Sequence, residues 1–239
     1  FNLLGEEKYL KFISKGFISM YKKGIKKDKY PQHYFINTLI KKGDYVIDLG
    51  ANLGYYTIPF SNAVGKNGKV FSVEPVPLFE KILRANTTMA NNPKNIQIFN
   101  YALGKEEGEI EMGLFVENGV FRHGLTKVLS KEDSPSKVVI VKMTHPESLF
   151  NDLKQLDYIK CDIEGFEIEV LPLFINIIKK FTPTLQVEFG SSESRDTIYT
   201  MLKAIDYKMY KLESGKLTTV TQGEIVSDDV YFVPNSRNR

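Results

Sequence analysis

Between positions 6 and 27, apolar side chains recur at Tyr9, Leu10, Phe12, Ile13, Phe17, Ile18, Met20 and Tyr21 among lysines. That spacing is roughly helical, although Gly16 and Gly24 weaken it. A second short helix is predicted over 32–40, led by Pro31 and ended by Lys41-Lys42-Gly43. From position 45 the pattern changes. Tyr45-Val46-Ile47-Asp48-Leu49 reads as a buried strand, and a glycine loop leads from it into a helix over 55–64. A strand over 69–74, a helix over 77–90 and a strand over 96–99 follow. Such alternation is the signature of a parallel sheet covered by helices.

The rhythm breaks after position 108. Strands are expected over 109–116 and 138–143, so a strand–loop–strand insertion is expected over about 108–143. A helix over 147–153, a strand over 158–163, a helix over 167–180 and a strand over 184–189 then resume the alternation. A helix over 193–205 and strands over 208–212 and 229–233 close the chain. No proline- or serine-rich linker appears, so the expected organisation is a helical lead-in or cap over 1–42 and one α/β domain over 43–239.

Composition narrows this picture in a few places. Hydrophobic residues at 42% and charged residues at 26% of 239 exclude wholesale disorder. The lone Cys161 excludes a disulfide framework and fits a reducing cytoplasm. No run approaches the roughly twenty apolar residues of a membrane-spanning helix. The chain opens on Phe1 rather than methionine, and a trimmed N-terminus is expected. Net charge is +3, but residues 1–42 hold ten lysines against three acids, a balance of +7 that leaves −4 for the other 197 residues. The basic lead-in could cap a site, touch an anionic membrane surface, or form a solvated helix face whose aromatics pack on the domain. Nucleic acid is disfavoured because the rest of the chain is acidic and carries no recognition module.

The most informative segment is Asp48-Leu49-Gly50-Ala51-Asn52-Leu53-Gly54, where a strand ends in an acid and turns through two glycines into a helix. Glycines there let backbone approach a ligand closely. A dinucleotide fold wants a glycine where Asn52 stands, and a phosphate loop wants a closing Lys-Ser/Thr that is absent. S-adenosylmethionine is cationic and has no phosphate, so an acid at the strand tip suits it better. Glu74 ends the next strand, where a carboxylate can accept from both ribose hydroxyls. Asn100 and Ala102 follow the third strand and would lie near an adenine, Asn100 either at the ring edge or as a turn residue. An NAD-dependent oxidoreductase shares the Glu74 feature and is the first alternative. A non-catalytic adenosyl-binding module and an RNA methyltransferase are further ones.

The segments 46–57, Val73-Glu74-Pro75 and Ile159-Lys160-Cys161-Asp162-Ile163-Glu164-Gly165-Phe166-Glu167 resemble a class I S-adenosylmethionine-dependent methyltransferase, more narrowly the FkbM family. The ending Asp229-Val230-Tyr231-Phe232-Val233-Pro234 is also similar. The resemblance implies a Rossmann-like, doubly wound α/β sheet of seven strands, the last antiparallel. It implies methyl transfer to a hydroxyl of a sugar, glycan or secondary metabolite. Carried over by position, it puts Asp48, Gly50, Asn52 and Gly54 at the amino-acid end of the donor, Glu74 at the ribose, and Asp162 and Glu164 at the transfer site. At His145-Pro146-Glu147-Ser148-Leu149 and in the lysine-rich lead-in the sequence departs from the family pattern.

A hydroxyl is a poor nucleophile, so a base or metal should assist it. Asp162, Glu164, Glu188 and His123 are the candidates for the base. Asp162, Glu164 and Glu167 stand close enough in sequence to hold Mg²⁺ through one or two carboxylates. For Glu167 the favoured reading is that it opens a helix and complements its dipole. Cys161 is expected in the core, and His33 and His145 have no supporting context.

Overall fold

The computed structural model of the chain describes residues 5–117, 120–221, 223–224, 226 and 229–236. The expected segments 1–42, 108–143 and 43–239 each run over a few positions, among them Gly119, that lie outside the described residues. Two helices lead in, α1 (Glu6–Lys22) and α2 (Pro31–Leu39). The alternating part then runs β1 (Tyr45–Leu49), α3 (Thr57–Val64), β2 (Lys69–Val73), α4 (Pro77–Asn86) and β3 (Ile96–Phe99). The insertion holds β4 (Ala102–Leu103), β5 (Gly108–Leu114), β6 (Val116–Glu117), β7 (Val120–Phe121), β8 (Lys127–Val128) and β9 (Lys137–Thr144). It is followed by α5 (Pro146–Phe150), β10 (Tyr158–Cys161), α6 (Glu167–Val170), α7 (Ile175–Phe181), β11 (Thr184–Val187) and α8 (Ser192–Lys203). Strands β12 (Tyr207–Glu213), β13 (Lys216–Thr219) and β14 (Val230–Pro234) end the fold.

The main sheet has the order β13-β12-β14-β11-β10-β1-β2-β3. From β11 to β3 neighbours are parallel, and β14 runs antiparallel to both β11 and β12. The sheet has eight strands where seven are expected. The addition is β13, joined to β12 through Ser214 and Gly215, both with positive φ, a two-residue turn that suits the twist of a hairpin.

Strand residues alternate between two covered faces. Ile47 and Leu49 pack with Phe174, Ile178 and Leu202, while Val46 packs with Ile36, Phe60 and Val64. The expected helix over 167–180 is divided into α6 and α7 by a 3₁₀ turn at Leu171–Phe174, where Pro172 removes a backbone donor. His145 caps α5, its Nδ1 accepting from the Glu147 N–H at 3.3 Å. The insertion builds a separate sheet, β4-β9-β5-β8. Its Met112, Leu114, Phe121 and Val141 share one apolar cluster with Leu10 of α1 and Phe79 and Ile82 of α4. The lead-in and insertion are thereby fixed to the same side of the domain. No helix among the described residues is long and apolar enough to cross a membrane.

Candidate functional site

Strand β1 lies between β2 and β10, the point at which the chain order reverses direction across the sheet. Ligands of open α/β sheets bind beyond the carboxyl ends of strands at such a point. Here those ends carry Asp48, Glu74, Asp162 and Glu188. Gly50 (φ +79°) brings the loop after β1 against the end of β10: a Cβ on it would sit 1.8 Å from the Asp162 carbonyl oxygen. Asn52 holds a left-handed backbone at φ +50° without being glycine, and its N–H donates to Glu74 Oε2 at 2.8 Å. The other Glu74 oxygen accepts from the Val76 N–H at 2.9 Å. Burial nevertheless raises Glu74 to about 7 against those two bonds. Asp48 is buried and accepts from Thr57 Oγ1 at 2.6 Å; burial lifts it to about 6 although Thr57 and Lys160 oppose the rise.

A second cluster stands at the ends of β10 and β11. The Lys160 ammonium is 1% exposed, 3.3 Å from Asp162 and 3.5 Å from Asp229, and 4.9 Å above the Tyr56 ring. Burial would lower this lysine, but the two carboxylates outweigh it and hold it well above its ordinary range. Gln186 joins the cluster, donating to Asp229 and accepting from the Tyr158 hydroxyl at 2.6 Å. Past Asp162 the chain turns at Glu164, left-handed at φ +56°. Burial first, then the charges of Asp162 and Glu188, raise Glu164 to about 8. Glu188 rises to about 7 through desolvation and the same Asp162 carboxylate.

Both clusters open into one cavity of about 410 Å³, within the roughly 300–1,000 Å³ of small-molecule sites. Asp48, Gly50, Asn52, Glu74, Ala102, His123, Asp162 and Glu164 all line it. Gly54 and Asn100 do not. A Cβ on Gly54 would lie 2.9 Å from Leu83 Cδ1, so that glycine admits α4 to the loop. The Asn100 amide donates to the Glu74 and Pro75 carbonyls at 2.8 and 2.9 Å, taking the turn role in place of a ring edge. His123 lies beside Asn52, Tyr55 and Phe79 on the Glu74 side; its carbonyl accepts from Asn52 Nδ2, and burial lowers its ring to about 4.

The lead-in supplies a wall of this cavity through Phe17, Tyr30 and His33. His33 stacks on Tyr56 at 3.9 Å and is lowered by burial to about 4. Lys160, Tyr56 and His33 were not singled out from the sequence. A lysine inside an otherwise apolar strand, two residues before Asp162, is the signal that marks Lys160. Nothing local marks His33. Three polar atoms among these residues are buried without a partner: Asn52 Oδ1, His33 Nε2 and His123 Nδ1. All three residues line the cavity.

Magnesium does not fit the acids after β10. Glu167 Oε1 accepts from the Ile163 and Gly165 N–H groups at 2.9 and 3.3 Å, and Asp162 faces the Lys160 ammonium. Among the described residues no three His, Cys, Asp or Glu side chains could hold a metal ion.

Comparison with known proteins adds the following. The methyltransferase FkbM domain matches residues 48–212. The crystal structure of methyltransferase FkbM from Methylobacillus flagellatus is 17% identical with a TM-score of 0.50, over 80% of this chain and 43% of that one. A SAM-dependent O-methyltransferase from Thermotoga maritima gives 16% and 0.52, over 93% of this chain and 73% of that one. These likenesses show a shared fold. In sequence, the chain is 36% identical over 80 residues to the tRNA (adenine(57)-N(1)/adenine(58)-N(1))-methyltransferase TrmI of Methanocaldococcus jannaschii, which is 32% of this chain. The chain spans only 28% of that curated relative.

Proposed function

The chain belongs to the methyltransferase FkbM family, and from that premise we propose that it transfers a methyl group from S-adenosylmethionine to a hydroxyl of a sugar, glycan or secondary metabolite. The observation that carries this reading is the single cavity that joins the acid-ended glycine loop, Glu74 and the Lys160 cluster. When bound, S-adenosylmethionine supplies a methyl group on a positively charged sulfur, displaced in line by the acceptor oxygen. The residues fit that donor. Asp48 offers negative charge beside the glycine loop, and Glu74 and the unpartnered Asn52 Oδ1 offer acceptors for hydroxyl or amino groups.

The acceptor hydroxyl is assigned to Asp162, Glu164 and Glu188. Glu164 and Glu188, raised to about 8 and about 7 by burial and the Asp162 charge, are well matched to taking its proton. Lys160 orients Asp162 and balances its charge. His123 sits on the Glu74 side, so its place in this reading is to close the donor end and exclude water rather than to move the proton.

Family membership removes the NAD-dependent alternative. RNA fits less well than a small acceptor, because carboxylates at the junction repel phosphates. Parallel calorimetry with S-adenosylhomocysteine and NADH tests the reading: the former should bind and the latter should not. The reverse result would sink it.

A further inference from the structure

We propose that the acceptor is a polyhydroxyl compound carrying a protonated amine, held in a second cavity that meets the first at Asp162, Glu164 and Glu188. This deepens the reading of the first cavity as the donor site and rests on it. The second cavity encloses about 470 Å³ and shares those three carboxylates with the first. Phe115 and Leu125 of the insertion form one wall, and Phe189 and Gly190 after β11 form another. An acceptor entering here reaches the carboxylates from the side away from the glycine loop.

The charge of this cavity is out of balance. Lys127 is taken by Asp133 at 2.7 Å, and Lys160 is divided between Asp162 and Asp229. Glu164 has no hydrogen bond or ion pair among the described residues. Glu188 contacts another carboxyl group, that of Asp162. Glu167 adds an independent sign. It is 1% exposed, gives Oε1 to the backbone, and leaves Oε2 buried in the cavity wall with no partner. A buried oxygen of that kind calls for a donor.

A neutral polyol would satisfy hydrogen bonds but supply no charge to hold Glu164 and Glu188 ionised beside Asp162. An anionic or phosphorylated one would add to the repulsion. An ammonium group supplies three donors and the missing positive charge together, and the apolar rings of Phe115 and Phe189 suit a carbon ring or chain beside it.

The test is calorimetry on the protein loaded with S-adenosylhomocysteine, with glucamine, sorbitol and gluconate as cationic, neutral and anionic probes on one carbon skeleton. Glucamine should bind about tenfold more tightly than sorbitol, and gluconate most weakly. Glu164→Gln should remove the preference. Gly190→Trp, which fills the second cavity and does not touch the first, should abolish glucamine binding while S-adenosylhomocysteine affinity stays unchanged. No preference for glucamine, or a preference that survives either variant, overturns the proposal. Failure of S-adenosylhomocysteine to bind the unaltered protein would instead overturn the donor reading.

Discussion

Replacing Lys160 by methionine would keep the stem of the side chain and remove the charge between Asp162 and Asp229. Asp229 is 6% exposed and would lose the ammonium it faces at 3.5 Å. Breaking a buried pair from one side costs roughly 3–5 kcal/mol. Lys160→Met should therefore shift the urea unfolding midpoint strongly downward, and an unchanged midpoint would show that the pair carries no net stability. Glu74 behaves differently. Both of its oxygens accept backbone N–H groups, so Glu74→Gln, which sets an amide NH2 against one of them, should cost roughly 1–3 kcal/mol in denaturant unfolding and weaken S-adenosylhomocysteine about tenfold by calorimetry. At Gly50 the constraint is steric. Gly50→Ala meets the Asp162 carbonyl at 1.8 Å and holds φ at +79°, so it should cost at least ~1–3 kcal/mol and disturb the junction of the two clusters.

Among the elements, the lead-in has the most to test. Helix α1 buries Leu10, Ser14 and Ile18, and the Ser14 hydroxyl accepts from Asn86 Nδ2 of α4 at 2.9 Å. Asn86 donates also to the Leu53 carbonyl in the glycine loop at 2.9 Å. The lead-in is thus tied to the loop through one buried amide. Leu10→Ala should lose roughly 2–5 kcal/mol in denaturant unfolding. A loss under about 0.5 kcal/mol would mean that α1 rests loosely on the domain. Of the lysines on this helix, Lys22 donates to the Met89 carbonyl beyond α4 at 2.9 Å, while Lys8, Lys15 and Lys23 lie exposed, with Phe12 73% exposed among them.

For the whole molecule, the prediction concerns pH. Asp48, Glu74, Glu164 and Glu188 have folded values of about 6, 7, 8 and 7, all above the ordinary carboxyl value. A raised acid holds its proton longer when folded, so its contribution to stability is full at low pH and declines as pH rises to the folded value. His33 and His123, both lowered to about 4, act in the other direction and destabilise the fold only as pH falls below about 6.5. Between pH 6.5 and 8 only the acids are changing. Without ligand, the melting temperature should therefore fall over that interval, by roughly 2–4 °C for each kcal/mol lost at this chain length. A melting temperature that rises from pH 6.5 to 8 would contradict these assignments. S-adenosylhomocysteine should stabilise the protein across the interval.

How much of this could be read in advance depended on whether the cause was local. Strand tips at Asp48, Glu74 and Asp162 and the glycine loop follow from neighbouring residues, because apolar runs, turn glycines and strand-end acids act over a few positions. The sequence by itself therefore determined the parallel sheet, its resemblance to a family and the acids at its carboxyl edge. Gly54 and Asn100 have the spacing of ligand residues, but the structure sets them against Leu83 and the Glu74 carbonyl, which lie on other segments. Only the tertiary structure decided that His33, from a helix with no motif, stacks on Tyr56, and that Lys160 is held between Asp162 and Asp229. It also decided that the insertion and the lead-in close one cavity from two sides. The physical reason is that burial and the charges around a group depend on segments far apart in the chain, and those are known only once the sheet has brought them together.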